Sequence, residues 1–163
     1  RANVGIILSN SDGKVFWARR AGQKTWQFPQ GGIDEDESPI EAMYRELHEE
    51  TGLLPEHVEV GGKTDDWVRY RIPNHLLRRR SQRLRIGSKQ IRFYLRLTGC
   101  EVDFDLFCSD KPEFDRWRWV DYWRPVKDVV HFKREVYSRA LQELAYLLGY
   151  DKQELSQQHF SRR

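Results

Sequence analysis

Between Gly31 and Leu53 the chain reads GGIDEDESPIEAMYRELHEETGL, and this run leaves little choice of local structure. Ser38-Pro39-Ile40-Glu41 forms a capping box with proline at the first helical position. Gly52 supplies a left-handed stop. The spacing predicts one helix of about three turns between them. Ile40, Met43 and Leu47 fall at i, i+3 and i+7, the pattern of a stripe facing a core. Glu46, Glu49 and Glu50 fall at i, i+3 and i+4, so their carboxylates share a neighbouring face.

Three carboxylates on one face repel one another at neutral pH. Glutamate-rich stretches on helices are usually solvated faces. Here a glycine loop, a cap, an arginine and a terminal glycine arrive together, which favours a site that holds a cation. Hard oxygen ligands suit magnesium or manganese. Arg45 stands one turn before Glu49 and would by itself read as half of a surface ion pair of little worth.

At 163 residues the chain is one domain able to bury its own core. Six Trp, seven Tyr and eight Phe exclude a disordered chain. The longest apolar run, Val4 to Leu8, contains a glycine and is too short to span a membrane. No signal peptide is visible, and the missing initiator methionine is read as trimming of the extreme N-terminus. Cys100 and Cys108 have neither metal-type spacing nor a disulfide framework, so reduced thiols in the cytoplasm are expected. His48 reads as a solvated helix residue and His57 as part of a turn; neither has metal-type company.

Charge is unevenly placed. From Trp67 to Arg96 there are ten Lys and Arg and no acid, whereas the rest of the chain holds 18 Lys and Arg against 25 Asp and Glu. That asymmetry reads as a docking surface for a polyanion. Trp67, Tyr70, Phe93 and Tyr94 interleave with the cations, as suits single-stranded nucleic acid. Phe93 and Tyr94 read equally as strand core. Arg78, Arg79 and Arg80 fall in a predicted loop and are the best candidates to touch a nucleic-acid strand.

Strands are expected at Val4–Ser9 and Val15–Arg19, joined by a turn at Asn10–Gly13, and at Val58–Gly62, Trp67–Arg71, Gln90–Leu97 and Arg116–Val120. Trp26–Pro29 leads into the Gly31-Gly32 loop. Pro73 to Gly87 is a long basic connection, a length that is often functional. Pro125–Val129 reads as a short helix. Lys133–Leu148 reads as a long amphipathic one, with Val136, Ala140, Leu144 and Leu147 at core spacing. The expected division is a domain over 1–149 and a polar, fraying tail over 150–163. A mixed sheet packed between helices follows, an α/β chain.

The run fits G-x5-E-x7-R-E-U-x-E-E-x-G-U, with U apolar, at all nine fixed positions: Gly31, Glu37, Arg45, Glu46, Leu47, Glu49, Glu50, Gly52 and Leu53. That is the Nudix box, and the chain resembles the Nudix hydrolases. The resemblance implies the α/β/α sandwich of that family and attack of water on a phosphorus of a diphosphate. It implies that Glu46, Glu49, Glu50 and Gly31 hold divalent ions, Mg2+ or Mn2+, and that Arg45 orients a ligand glutamate. Outside the box, Asn3-Val4-Gly5-Ile6, Trp17-Ala18-Arg19-Arg20, Trp26-Gln27-Phe28-Pro29-Gln30-Gly31-Gly32, Pro112-Glu113-Phe114-Asp115 and Trp117-Arg118-Trp119-Val120 look like one branch of it. Members of that branch act on triphosphorylated RNA ends or on dinucleoside polyphosphates.

By the same resemblance Glu113 is a further metal ligand or the general base. Arg1, Arg20, Val130, Phe132 and Lys133 would contact substrate near its 5′ end, Phe132 by stacking on a base. Phe132 also reads as a hydrophobic anchor at a helix start. Ten uncompensated cations exceed what a compact dinucleotide needs and suit a trailing RNA strand. The expected activity is therefore metal-dependent removal of pyrophosphate from the 5′ end of triphosphorylated RNA, leaving a 5′-monophosphate and starting messenger decay. The expected partners are 5′-triphosphate or 5′-diphosphate RNA and no membrane. The alternative is hydrolysis of dinucleoside polyphosphates.

Overall fold

The computed structural model describes residues 2–65, 68–70 and 88–148. Arg1, Trp67, the Arg78–Arg80 run and the 150–163 tail lie outside the described residues. So does the whole Pro73–Gly87 connection.

One mixed sheet organises the molecule. Its strands are β1 (Ala2–Ser9), β2 (Val15–Arg20), β3 (Trp26–Gln27), β4 (Gln30–Gly32), β5 (Val58–Lys63), β6 (Val68–Tyr70), β7 (Ser88–Leu97) and β8 (Phe114–Val120). The central path runs β3-β2-β1-β7-β5, with β4 on β1, β6 on β7 and β8 on β2. β1 and β7 pair in parallel, from Ala2 opposite Lys89 to Ser9 opposite Arg96. The remaining pairs are antiparallel.

The apolar run Val4–Leu8 follows from β1 being central. Covered on both faces, it has no solvent side to alternate with. Val4, Ile6 and Leu8 join Ile91, Phe93 and Leu95 of β7 in the layer beneath α1 (Pro39–Thr51), where Met43 and Leu47 meet them. Ile7 and Tyr94 point the other way. They pack with Trp17, Phe28, Tyr137, Leu141 and Leu144 beneath α2 (Arg124–Asp128) and α3 (Arg134–Leu144). Phe93 and Tyr94 are thus core residues, one on each face. Among the described residues no helix is long and apolar enough to cross a membrane.

Several expectations need correction. Ile40 leaves the proposed core stripe: it lies in the first helical turn and is 44% exposed. The Trp26–Gly32 segment is two short strands, and β4 pairs with β1 from Asn3 opposite Gly32 to Gly5 opposite Gln30. The long C-terminal helix is three pieces: 3-10 turns at His131–Lys133 and Ala145–Leu148 flank α3. No side chain caps the N-terminus of α3, so nothing local forces an α start there. Arg92 is not a surface cation. It is 1% exposed in the middle of β7, its guanidinium 4.3 Å over the Tyr137 ring and 5.5 Å over Phe28.

Candidate active site

The glutamates are placed by the ends of α1. The Glu41 N–H donates to Ser38 Oγ at 3.3 Å and the Ser38 N–H donates to Glu41 Oε1 at 3.4 Å, closing the capping box. Gly52 ends the helix at φ 79°, its N–H donating to the His48 carbonyl at 2.9 Å. A helix fixed at both ends aims its fourth-residue neighbours along one line. Glu46 and Glu50 occupy that line and are 9% and 5% exposed. Glu49 lies to the side, nearly half exposed.

The surface they face is the Gln30–Gly32 strand. Glu50 Oε2 accepts the Gln30 N–H at 3.1 Å. Gly31 lies against Glu46 so closely that a Cβ there would fall 2.0 Å from its carboxyl carbon and 2.1 and 2.4 Å from its oxygens. The glycine exists to let backbone meet carboxylate. The segment is anchored from the other side too: the Ile6 N–H donates to the Pro29 carbonyl at 2.9 Å, and the Phe28 N–H donates to the Tyr137 hydroxyl at 3.4 Å.

Arg45 is far from a simple surface pair. Its Nε and Nη2 donate to the two oxygens of Glu37 at 2.7 and 2.8 Å, and Nη2 also reaches the Gly32 carbonyl at 2.8 Å. Its Nη1 donates to Glu46 at 2.7 Å and to Glu49 at 3.4 Å. One guanidinium therefore ties the glycine strand to two of the box glutamates. This fork holds the Glu37 carboxyl down to about 2, through its hydrogen bonds first. Glu37 is the arginine's chief partner and had no role assigned from sequence. Its only signal there is its fixed place eight residues before Arg45.

The electrostatics favour a cation. Burial pushes the Glu46 carboxyl up, against the pull of Arg45. Burial pushes Glu50 far higher, and the charges of Glu46 and Glu113 add to it. Glu113 is thereby within electrostatic reach of the box from the loop before β8. Its carbonyl accepts the Ala21 N–H at 2.8 Å, and its carboxylate lies 3.5 Å from Arg20 Nη2. Among the described residues no three carboxylates, histidines or cysteines already converge on one cation position. Glu46 and Glu50 do meet as a pair, while Arg45 bridges Glu46 to Glu49. Two buried carboxylates driven toward protonation, with hard oxygen donors only, fit a divalent ion that replaces the proton. The residues that would hold it are Glu46, Glu50 and Gly31, with Glu49 and Glu113 at the rim.

The substrate candidates come together on the α3 side. Val130 is 41% exposed; Phe132 and Lys133 are half-buried on the 3-10 turn. Burial first, then the guanidiniums of Arg92 and Arg20, lower the Lys133 amine to about 8, opposed by Glu113. Arg20, Lys133 and Glu113 thus form one neighbourhood bordering Glu50, and Arg92, counted from sequence among the docking cations, is buried beside it. The alternation along β7, with Gln90, Arg92 and Tyr94 on the face opposite Ile91 and Phe93, was the signal that could have removed it from the surface. His48 is exposed and His57 is in a turn, its Nδ1 accepting the Leu54 N–H at 2.9 Å. Cys100 and Cys108 are free.

The NUDIX domain model matches residues 1–140. The chain belongs to the NUDIX family. It is 66% identical over 148 residues to a protein of Thioalkalivibrio sulfidiphilus named RNA pyrophosphohydrolase, covering 91% of this chain and 86% of that one. A protein of the same name from Methylococcus capsulatus is 61% identical over 144 residues, covering 88% and 75%. Among solved structures, the E. coli dihydroneopterin triphosphate pyrophosphohydrolase superposes with a TM-score of 0.67 at 19% identity, covering 85% of this chain and 92% of that one. A C. elegans Ap4A hydrolase superposes at 0.66 and 16% identity, covering 91% and 98%. At such identities these two bear on the fold alone. They place this NUDIX domain in the α/β sandwich read from its sequence.

Proposed function

We infer that this NUDIX domain removes pyrophosphate from the 5′ end of triphosphorylated RNA, leaving a 5′-monophosphate. One observation carries the reading: relatives named RNA pyrophosphohydrolase match nine-tenths of the chain at 60–66% identity. The geometry is compatible. A buried carboxylate pair, an arginine fork and a cationic pocket lie side by side, as cleavage of a phosphoanhydride on an anionic polymer requires. The expected compartment is the cytoplasm, where such ends arise.

Magnesium or manganese is the expected metal, because the donors are hard oxygens. When bound, such an ion neutralises diphosphate charge and makes water acidic enough to serve as nucleophile near neutral pH. The chain's own groups do the rest. Arg45 fixes the rotamers of Glu46 and Glu49 and ties both to the Gly31–Gly32 backbone. Glu113, at the rim, is the carboxylate that would accept the proton of the attacking water, with Glu50 left to the metal. Lys133 and Arg20 present cations to the phosphates and the first nucleotides, and Phe132 offers a ring to a base. Water adds to phosphorus, the anhydride bond breaks, and pyrophosphate leaves with its electrons.

The test is turnover of 5′-triphosphate RNA, 5′-diphosphate RNA and diadenosine tetraphosphate, side by side with magnesium. The expected result is a higher kcat/KM on 5′-triphosphate or 5′-diphosphate RNA than on the dinucleotide. The reverse order would favour the dinucleoside polyphosphate reading.

A further inference from the structure

A second cationic hollow opens at the far end of β8. Glu113 precedes that strand and Val120 ends it, so the hollow lies roughly 20 Å from Glu113. It has a volume of about 270 Å³ and is lined by Lys14, Arg118, Trp119, Val120, Asp121 and Arg124. Three cations face one carboxylate in that lining. Just outside it, Asp128 serves two guanidiniums at once: Arg124 Nε at 2.8 Å and Arg118 Nη2 at 3.9 Å. Among the described residues no ion pair holds Lys14. The Arg118 guanidinium sits 4.4 Å over the Trp26 ring, which fixes the fork before any ligand arrives.

The hollow is not isolated from the active site. The segment joining them is α2 with the turn after it. Lys127 and Arg134 are exposed there, and Arg134 Nη2 donates to the Lys127 carbonyl at 3.3 Å. The chain from β8 to the start of α3 carries Arg118, Arg124, Lys127 and Arg134, all exposed, and Lys14, also exposed, precedes Val15, which pairs with Val120. The acids along this route, Asp121, Asp128 and Glu135, are fewer.

We propose that this hollow is a downstream subsite for the phosphodiester backbone of a single RNA strand whose 5′ end lies at the carboxylates. The proposal rests on the function inferred above. Spaced guanidiniums suit phosphate oxygens, which take two parallel N–H bonds from one fork. Asp121 is the one carboxylate in the lining, and the three cations outnumber it. Contacts to phosphate carry no sequence information, so the subsite tracks strand length.

The experiment uses two substrates, a 5′-triphosphate dinucleotide that ends before the hollow and an unstructured 5′-triphosphate dodecamer that reaches it. Wild type is compared with the double variant Lys14→Gln/Arg124→Gln and with Arg124→Lys. Both positions are exposed, so folding is not at stake. Two lost phosphate contacts should remove about 1.4 from the log–log salt slope of dodecamer binding, at roughly 0.7 per contact for single strands. For the double variant the dodecamer KM should rise with kcat unchanged; Arg124→Lys, which keeps the charge and loses the fork, should keep the wild-type salt slope with weaker binding; and the dinucleotide should not notice. Equal losses on both substrates, or none on either, would overturn the subsite. A wild-type enzyme that cleaves neither RNA but does cleave diadenosine tetraphosphate would overturn the function instead. Dodecamer binding, followed by anisotropy, then judges the hollow separately.

Discussion

Glu50 shows why activity and stability are opposed at this site. Its carboxyl is driven far up by burial and by the charges of Glu46 and Glu113. A carboxyl raised in the fold favours its protonated form, so the metal-free protein loses stability as pH rises from the ordinary carboxylate value up through the raised one. Glu50→Gln removes that penalty. The variant should melt higher than wild type without metal, with the gap wider at pH 8 than at pH 4, while turnover falls by several orders of magnitude. Calorimetry with a chelator and a steady-state assay check both halves; a variant of normal rate at saturating magnesium would remove Glu50 from the site. Gly31→Ala tests the same contact from the other side. Its Cβ would enter the Glu46 carboxylate at 2.0–2.4 Å. A displacement of that size should lower kcat by about 100-fold and raise the metal concentration for half-activity, with the circular dichroism spectrum retained. Glu37 has the opposite sign. Arg45 holds it to about 2, so its contribution is complete above the ordinary carboxylate pKa and disappears as pH falls toward about 2. Glu37→Gln should flatten the acid limb of the stability curve.

Elements differ in how much of themselves they disclosed. Helix α1 was legible at both ends because its signals are local: a serine, a proline and a glutamate three residues on, then a glycine. β1 was legible as an unbroken apolar run, for the same reason that it sits centrally. Helix α3 was not. A 3-10 turn and an α turn differ by a fraction of a residue per turn, and over the three residues His131–Lys133 apolar periodicity cannot separate them. Arg92 was misread because charge was counted along the chain and not by face. Two residues of β7 on either side of it, Gln90 and Tyr94, are buried with it. The box glutamates were legible as a face, but the division of labour among them was not, since Arg45's choice of Glu46 and Glu49 depends on where the glycine strand passes. The local origin of α1 has a measurable consequence. Ser38→Ala loses the cap and should cost about 1 kcal/mol. Gly52→Ala should cost more, because its φ of 79° disfavours a side chain and a Cβ there would lie 2.8 Å from the Asp105 backbone. Denaturant melts rank the two; equal costs would mean that the C-terminal stop is not strained.

At the scale of the whole molecule the question is where the positive charge goes. The chain is only +3 net, yet ten cations and no acid lie between Trp67 and Arg96. Burial removes Arg92 from any binding surface, and Arg96 is half committed to Glu59 and the Tyr94 ring. What remains of the run is concentrated before β7, above all Arg78, Arg79 and Arg80, outside the described residues. On the function proposed above, the carboxylates and Arg45 would act on the anhydride at the 5′ end, whatever is attached to it. Cations remote from them act only on what trails behind. Neutralising Arg78, Arg79 and Arg80 together should therefore weaken binding of a 5′-triphosphate oligonucleotide and lower its log–log salt slope by about 2, roughly 0.7 for each phosphate released. Diadenosine tetraphosphate turnover should barely change. A salt series on wild type and triple variant, run beside the dinucleotide assay, separates the cases. Equal losses on both substrates would mean that the run supports the pocket itself. No loss on either would make it a solvated face, leaving the α2 route to Lys14 as the place where the strand is held.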